Sequence, residues 1–415
     1  MPISESLTPR DMRGRAPNED ALGFDRLARS FLRTLVRQGH GTVAHVQGAP
    51  GSGKTEFMRR CMHFVEVERE ALGSDIVPDL FGVTTWYNPW VYAKQGNLLA
   101  GLVATIARTG GANTASQIDR ARDIVSQMNR LRFDGIVPES AGSALTPNDV
   151  DPVERIRRGV TQLVDLVKQG QRGRLVVFVA DIDLLTPPVR LAFLDGLRLL
   201  LGGGADVAVV VAMGREAGLA SIRSRDGDIS TLAATRLLDE MVDFTVTVPK
   251  VDIRRIGSLL RRYIGVNEVV VRRAFGEEAM NALTVAASHR QLGIPRFLER
   301  LSARVLMLSD FTLEARAMRE LSEAQWSWVV LSERWPEFRR FMIRGGKDRW
   351  LQLKQAVAAL NLDGSPPRSG APAEIGDWLR QDPLLADYLR LHTDGFDRDN
   401  MGVYWVEDTL LQAGL

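Results

Sequence analysis

Apolar residues recur at helical spacing in "LGFDRLARSFLRTLVRQ" (22–38), which sets Leu27, Phe31, Leu32 and Leu35 on one face and predicts an early helix. A short strand pattern follows, "GTVAHVQG" (41–48), ending on glycine. The helical "KTEFMRRCMHFVEVERE" behind it places Phe57, Cys61 and Phe64 near one stripe. "LFGVTTWYNPWVY" contains a second strand and "NLLAGLVATIAR" a helix. Residues 110–150 lose apolar periodicity and accumulate Gly, Ser, Asn and Pro, so an irregular insert is expected there. After the helix "VERIRRGVTQLVDLVKQ" comes "VVFVADIDLL" (176–185), then "VRLAFLDGLRLLLG" as helix, "ADVAVVVAM" as a buried strand, and "VDFTVTVPKVD" as a strand stopped by Pro249. Strands alternating with helices predict an α/β fold, a parallel sheet sandwiched by helices.

From residue 251 helices dominate. "DIRRIGSLLRRYIG" and "GIPRFLERLSARVLML" come first; the region from "AQWSWVV" to "LLQAGL" is also helical, broken by the turn-rich "LDGSPPRSGAPAE" (362–374). The expected organisation is a loose tail over 1–20, an α/β core over 21–250, a helical segment over 251–310 and a C-terminal helical domain over 311–415.

Composition changes this picture little. With 415 residues, 45% hydrophobic and 25% charged, the chain is long enough for two or three folded domains. A net charge of +2 argues against whole-protein attraction to nucleic acid or anionic lipid. The single cysteine, Cys61, excludes an internal disulfide and a cysteine-cluster metal site. His40, His45, His63, His289 and His392 show no paired ligand spacing, so surface or core roles are expected. "MPISESLTPRDMRGRAPNED" lacks the apolar stretch of a secretory signal, and no eighteen consecutive apolar residues occur; a cytoplasmic chain with no membrane span is the expectation.

The chemistry concentrates in "GAPGSGKT", Gly48 to Thr55, which fits G-x-x-x-x-G-K-[ST] between a predicted strand and a predicted helix. Gly48, Gly51 and Gly53 are expected to fold the backbone into a ring of inward N–H groups, at φ values that side chains resist. The helix N-terminus behind them adds partial positive charge. Ala49, Pro50, Ser52 and Glu56 complete the candidate nucleotide contacts. Lys54 is expected to reach the β and γ phosphates of a nucleotide and the Thr55 hydroxyl to hold magnesium. Asp181 and Asp183 end a strand buried on both faces, where carboxylates are costly unless a cation meets them. A later strand lying beside the first would bring Asp181 to that magnesium, with Asp183 as the second catalytic acid. Capping of the following helix is the plainer alternative.

Several stretches together resemble the KAP family of P-loop NTPases. "LGFDRLARSFLRTLV" precedes the glycine loop, "WYNPWVY" supplies Asn88 and Trp90 ahead of "NLLAGL", and the acid-tipped "VVFVADIDLL" follows. "VAVVVAMGREAGLASI", "VDFTVTVPKVD", "GIPRFLERL" and "LSERWPEFRRFM" then continue the family's order, so the resemblance covers roughly residues 20–345. It implies Mg-ATP binding and hydrolysis coupled to conformational change, with 251–310 as a helical lid. In some bacterial members it also implies exclusion of phage or plasmids. Arg296 matches a basic lid residue that reaches toward nucleotide.

The chain also departs from the family. The family's run of two adjacent aspartates, an apolar residue, aspartate and arginine reads here Ala180, Asp181, Ile182, Asp183, Leu184. The first acid, the usual magnesium partner, is missing; Asp181 matches the second, which orients or activates the attacking water. Gly214 stands where a polar γ-phosphate sensor is common. The membrane-spanning segments of many relatives are absent. Two further functions therefore compete with an ATP-driven switch that shows its state to a protein partner or a second copy through the lid and C-terminal helices. One is a nucleotide-stabilised scaffold with weak hydrolysis. The other is a nucleic-acid-dependent ATPase, drawn from the Arg254, Arg255, Arg261, Arg262 stripe and the aromatic, basic stretch from Trp326 to Trp350. A solvated helix face explains the stripe more simply, and a helical core explains the aromatics. Asn88 and Trp90 are expected to support the strand end beside the nucleotide, core packing being the simpler role for Trp90. Arg236 is a candidate for an arginine supplied across a subunit interface.

Overall fold

Alternation along each strand decides the layers. Even-numbered residues of the central strands (Ala44, Val46, Val176, Phe178, Ala208, Val210) join one apolar cluster, and odd-numbered ones (Val43, Val177, Val179, Val209, Val211) join another, as a pleat covered on both faces requires. The computed structural model describes residues 20, 22–67, 81–93, 97–109, 114–130, 151–169, 173–202, 204–289, 292–359, 373–398 and 400–415. The chain divides into two compact units, residues 1–249 and 250–415. The predicted tail, except Asp20, lies outside the described residues.

In the first unit the order is α1 (Asp25–Arg37), β1 (Thr42–Gln47), α2 (Lys54–Glu66), β2 (Phe81–Tyr87), α3 (Pro89–Tyr92), α4 (Leu98–Ala107), α5 (Ala115–Arg130), α6 (Pro152–Lys168), β3 (Arg174–Val179), α7 (Pro187–Leu201), β4 (Val207–Met213), α8 (Arg215–Asp226), α9 (Thr231–Glu240) and β5 (Phe244–Thr247). All strands run parallel in the order β2-β3-β4-β1-β5. Helices α1 and α2 cover one face, where Phe31, Phe57, Cys61 and Phe64 pack on the even-numbered strand residues. Helices α4 to α9 contribute to the cluster on the other. The sheet is the predicted α/β sandwich.

Two expectations are corrected. The acid-bearing β3 does not lie beside β1, because β4 takes that place; all seven residues of β4 are buried, as a strand inside a covered sheet must be. The segment 110–150 is not irregular throughout. Residues 115–130 form α5, whose Ala121, Ile124 and Met128 recur at steps of three and four and are buried with α4 and α6. Residues 110–113 and 131–150 lie outside the described ones.

The second unit is helical: α10 (Ile256–Ile264), α11 (Glu268–Phe275), α12 (Ala279–Ala287), α13 (Pro295–Glu314), α14 (Glu323–Arg334), α15 (Pro336–Arg344), α16 (Gly346–Ala358), α17 (Ala373–Gln381), α18 (Pro383–Arg398) and α19 (Asn400–Gln412). A capping box between Ser322 and Gln325 starts α14. Trp326, Trp328, Trp335, Phe338 and Trp350 are buried, so this aromatic stretch is core and not a stacking surface for bases. Two buried carboxylates of this unit meet arginines: Glu407 bonds the Arg339 guanidinium, and Glu333 meets Arg300 and Arg304. Arg254, Arg255, Arg261 and Arg262 are exposed. Most of the predicted break at 362–374 lies outside the described residues; Ala373 and Glu374 open α17. No helix among the described residues is long and apolar enough to cross a membrane.

Candidate phosphate-binding site

The loop from Gly48 to Gly53 joins the C-terminal end of β1 to the N-terminus of α2, so the amides of the first turn are free of helical partners. Gly51 (φ 76°) and Gly53 (φ 96°) adopt the left-handed conformation that favours glycine. Gly48 does not; its requirement is space. A Cβ there would stand 2.4 Å from Ser52 Oγ and 3.2 Å from Lys54 Cγ. The Ser52 hydroxyl is buried and has no partner among the described residues.

Lys54 turns back over the loop. Its Nζ donates to Gly48 O at 2.9 Å and Ala49 O at 3.3 Å, and lies 3.1 Å from Asp183 Oδ2. The first-turn residues Thr55 and Glu56 are half-buried, Glu56 pairing with Arg59 at 3.7 Å. Pro50 is exposed.

The acids follow β3 in a turn. Asp181 adopts φ 57°, in the left-handed region that Asp tolerates better than most residues, and its Oδ2 accepts from Asn88 Nδ2 at 2.8 Å. Asn88 also caps α3 through Trp90 N, tying the end of β2 to the acidic turn. Asp183 Oδ1 accepts from Gly214 N at 2.9 Å while Oδ2 faces Lys54. Neither aspartate caps the helix that follows: Asp181 makes no capping bond, and Thr186 occupies the N-cap of α7. Asp183, and not Asp181, is the acid that meets Lys54.

Ala180 is fully buried in the cluster that holds Phe57 and Met58 of α2. Position 180 therefore faces the layer of the helix that carries Thr55, and alanine offers no carboxylate there. A Cβ at Gly214 would lie 3.5 Å from Gly48 O and 3.7 Å from Asp183 Oδ2. A side chain at 214 would thus enter the site directly. Glycine leaves that wall bare.

The other sequence-selected residues differ in exposure. Trp90 is 52% exposed, which corrects its expected core packing: α3 is a single turn at the sheet end, too short to bury both sides. Arg236 is exposed on α9. Arg296 is exposed at the start of α13, in the second unit. His45, buried on β1, pairs its Nε2 with Met213 O at 3.1 Å; burial lowers its pKa and keeps it neutral. Sequence reasoning missed Arg190, buried on α7 and bonded to the acidic turn. Its signal was a cation in the apolar stripe it shares with Leu194, Leu197 and Leu201.

Comparison with known proteins adds little to this geometry. No family model matches the sequence, and no curated protein does. Among solved structures the chain is similar to Drosophila ORC bound to DNA, at 11% identity and a TM-score of 0.27 over 92% of this chain and 82% of that one. A likeness of that size carries no functional weight.

The donor set is hard oxygen: the Thr55 hydroxyl and the Asp181 and Asp183 carboxylates suit magnesium better than a soft metal. Among the described residues no group of three or more His, Cys, Asp or Glu forms a metal cage. A magnesium here would share its coordination with phosphate oxygens and water.

Proposed function

We propose that the chain binds a nucleoside triphosphate with magnesium at Gly48–Thr55 and works as a nucleotide-dependent switch. The observation that carries this reading is the loop itself: left-handed glycines, an unpartnered buried Ser52 hydroxyl and a lysine folded onto the ring where phosphate oxygens would sit. In this reading the amides of Gly51, Gly53, Lys54 and Thr55, the Ser52 hydroxyl and the Lys54 ammonium hold the phosphates. Thr55 and one of the two aspartates hold magnesium, which supplies charge neutralisation at the terminal phosphate when bound. ATP as the nucleotide, the KAP type and a role in phage or plasmid exclusion come only from the sequence resemblance. The helical segments 251–310 and 311–415 would present the nucleotide state to a protein partner or a second copy.

Hydrolysis is proposed to be slow. Ala180 places a methyl where a metal-binding acid is expected, and Gly214 leaves no side chain to follow the γ-phosphate. Transition-state stabilisation depends on such groups far more than ground-state binding does. Calorimetry with Mg-ATP on the native chain and on Lys54→Ala, together with phosphate release, tests both statements. Native binding lost about a hundredfold in Lys54→Ala is the expected outcome. Absence of binding by the native chain refutes the nucleotide reading. Turnover above about ten per second, a typical enzyme rate, refutes slow hydrolysis.

A further inference from the structure

Arg190 sits on the buried stripe of α7 and is only 4% exposed. A guanidinium carries five N–H donors and no acceptor, so its burial demands acceptors on all sides. Nε donates to Ile182 O at 3.1 Å, and Nη2 donates to Asp183 O at 3.0 Å and Leu185 O at 2.6 Å. Nη1 donates to Ala217 O and, at 3.1 Å, to Ser221 Oγ. Burial lowers its pKa, and the nearby Asp183 carboxylate opposes that shift.

Three of these acceptors belong to the turn that carries Asp183. The other two belong to α8, which begins directly after Gly214. The same two pieces of chain are the two ends of the Asp183–Gly214 hydrogen bond, and Asp183 is the group that meets Lys54. Helix packing alone does not require this fork; a leucine would continue the stripe of Leu194, Leu197 and Leu201. We infer that Arg190 is a positioning residue for the phosphate loop: it locks the turn Ile182–Leu185 to the start of α8 and so sets where the Asp183 carboxylate meets Lys54. The consequence for nucleotide affinity rests on the proposed function, whereas the effect on Lys54 does not.

The test uses the full chain carrying Arg190→Lys, which keeps the charge but replaces a planar fork by a point, Asp183→Asn, and both together. Circular dichroism and melting report the fold. Two readouts are taken: the rate at which an amine reagent modifies Lys54 in nucleotide-free protein, mapped by mass spectrometry, and the Kd for Mg-ATP. Arg190→Lys is expected to raise Lys54 modification about threefold and to weaken ATP binding about tenfold. With Asp183 already replaced, it is expected to change neither. An unchanged Lys54 rate, or an equal effect with and without Asp183, overturns the inference and leaves Arg190 a structural tie. Should Arg190→Lys not fold, Ser221→Ala removes one acceptor and leaves the arginine; a raised Lys54 rate there supports the inference, and an unmoved one overturns it. A native chain that binds no ATP, with Lys54 rates moving as stated, supports the positioning role and refutes the nucleotide reading alone.

Discussion

Replacing Asp183 by asparagine separates a binding lysine from the group that holds it in the nucleotide-free protein. Lys54 Nζ lies 3.1 Å from Asp183 Oδ2, with the two side chains 11% and 27% exposed. At an effective dielectric of about 20, unit charges at that distance attract by roughly 5 kcal/mol before desolvation. Desolvation offsets most of this, and Lys54 keeps Gly48 O and Ala49 O as acceptors in the variant, so a net loss of about 1–2 kcal/mol is expected. The same amount reappears with opposite sign in binding. Without magnesium, ATP must draw Lys54 away from Asp183 and bring its own negative charge toward that carboxylate. Asp183→Asn removes both costs. Calorimetry in chelator should show ATP binding about tenfold tighter in the variant, while the nucleotide-free protein melts a few degrees lower. With magnesium present the gain should reverse, because the carboxylate then faces a cation. Mg-free affinity that is unchanged or weaker in Asp183→Asn would refute the claim that this ion pair competes with phosphate.

Gly48→Ala puts a methyl 2.4 Å from Ser52 Oγ and is expected to weaken ATP binding by about tenfold or more with melting little changed; unchanged affinity would show that the loop has room to spare. Ala180→Asp buries a carboxylate in an apolar cluster and is expected to lower the melting temperature in chelator and to regain part of it with Mg-ATP. No magnesium-dependent recovery would show that position 180 does not face the metal. In the helical unit, burial, reinforced by His289, lowers the His392 pKa to about 4; its Nδ1 pairs with Ser327 Oγ at 2.9 Å, its ring lies against Tyr388, and Asp387 bonds His289. The folded state therefore resists a proton that the unfolded chain accepts near pH 6.5. Stability is full above pH 6.5 and falls by on the order of 2 kcal/mol as the pH drops to 4, discounted for solvent on its open side. Denaturant titrations of the native chain and of His392→Gln over that range check this, equal slopes being the refuting result.

The legibility of this fold followed its periodicity. The short, valine-rich run Val207–Met213 suits a buried strand in a covered sheet, and the steps of Phe57, Cys61 and Phe64 suit a helix laid on it. Strand order was harder. Which strand lies beside β1 depends on crossovers between segments far apart in sequence, and the acid-tipped β3 was assigned a place that β4 holds. Helix α5 was hidden because Gly, Ser and Asn around it mask steps at Ala121, Ile124 and Met128. At the site, Lys54 and the glycines were legible because their chemistry is local. That Asp183 is the acid that reaches Lys54 was not, since it depends on a turn whose backbone enters the left-handed region at Asp181 and whose carbonyls are bound by an arginine on another helix.

These placements separate holding a nucleotide from reacting with it. In the proposed reading the direct phosphate contacts come from one continuous segment: glycines that open the ring, amides at a helix start, and Lys54. What would react must come from β3 and β4, and there the chain offers one aspartate tied to Asn88, one tied to Gly214 and Lys54, a buried methyl at Ala180 and a bare backbone at Gly214. A side chain that acts in a transition state must be free to meet charge as it develops. Asp181 is the more available of the two acids, being exposed and bonded through only one oxygen to an amide. If the protein turns over at all, the decisive carboxylate is therefore expected to be Asp181, with Asp183 governing how tightly the triphosphate is held; Asp181→Ala should then lower turnover with little change in Kd, and the reverse pattern would exchange their roles.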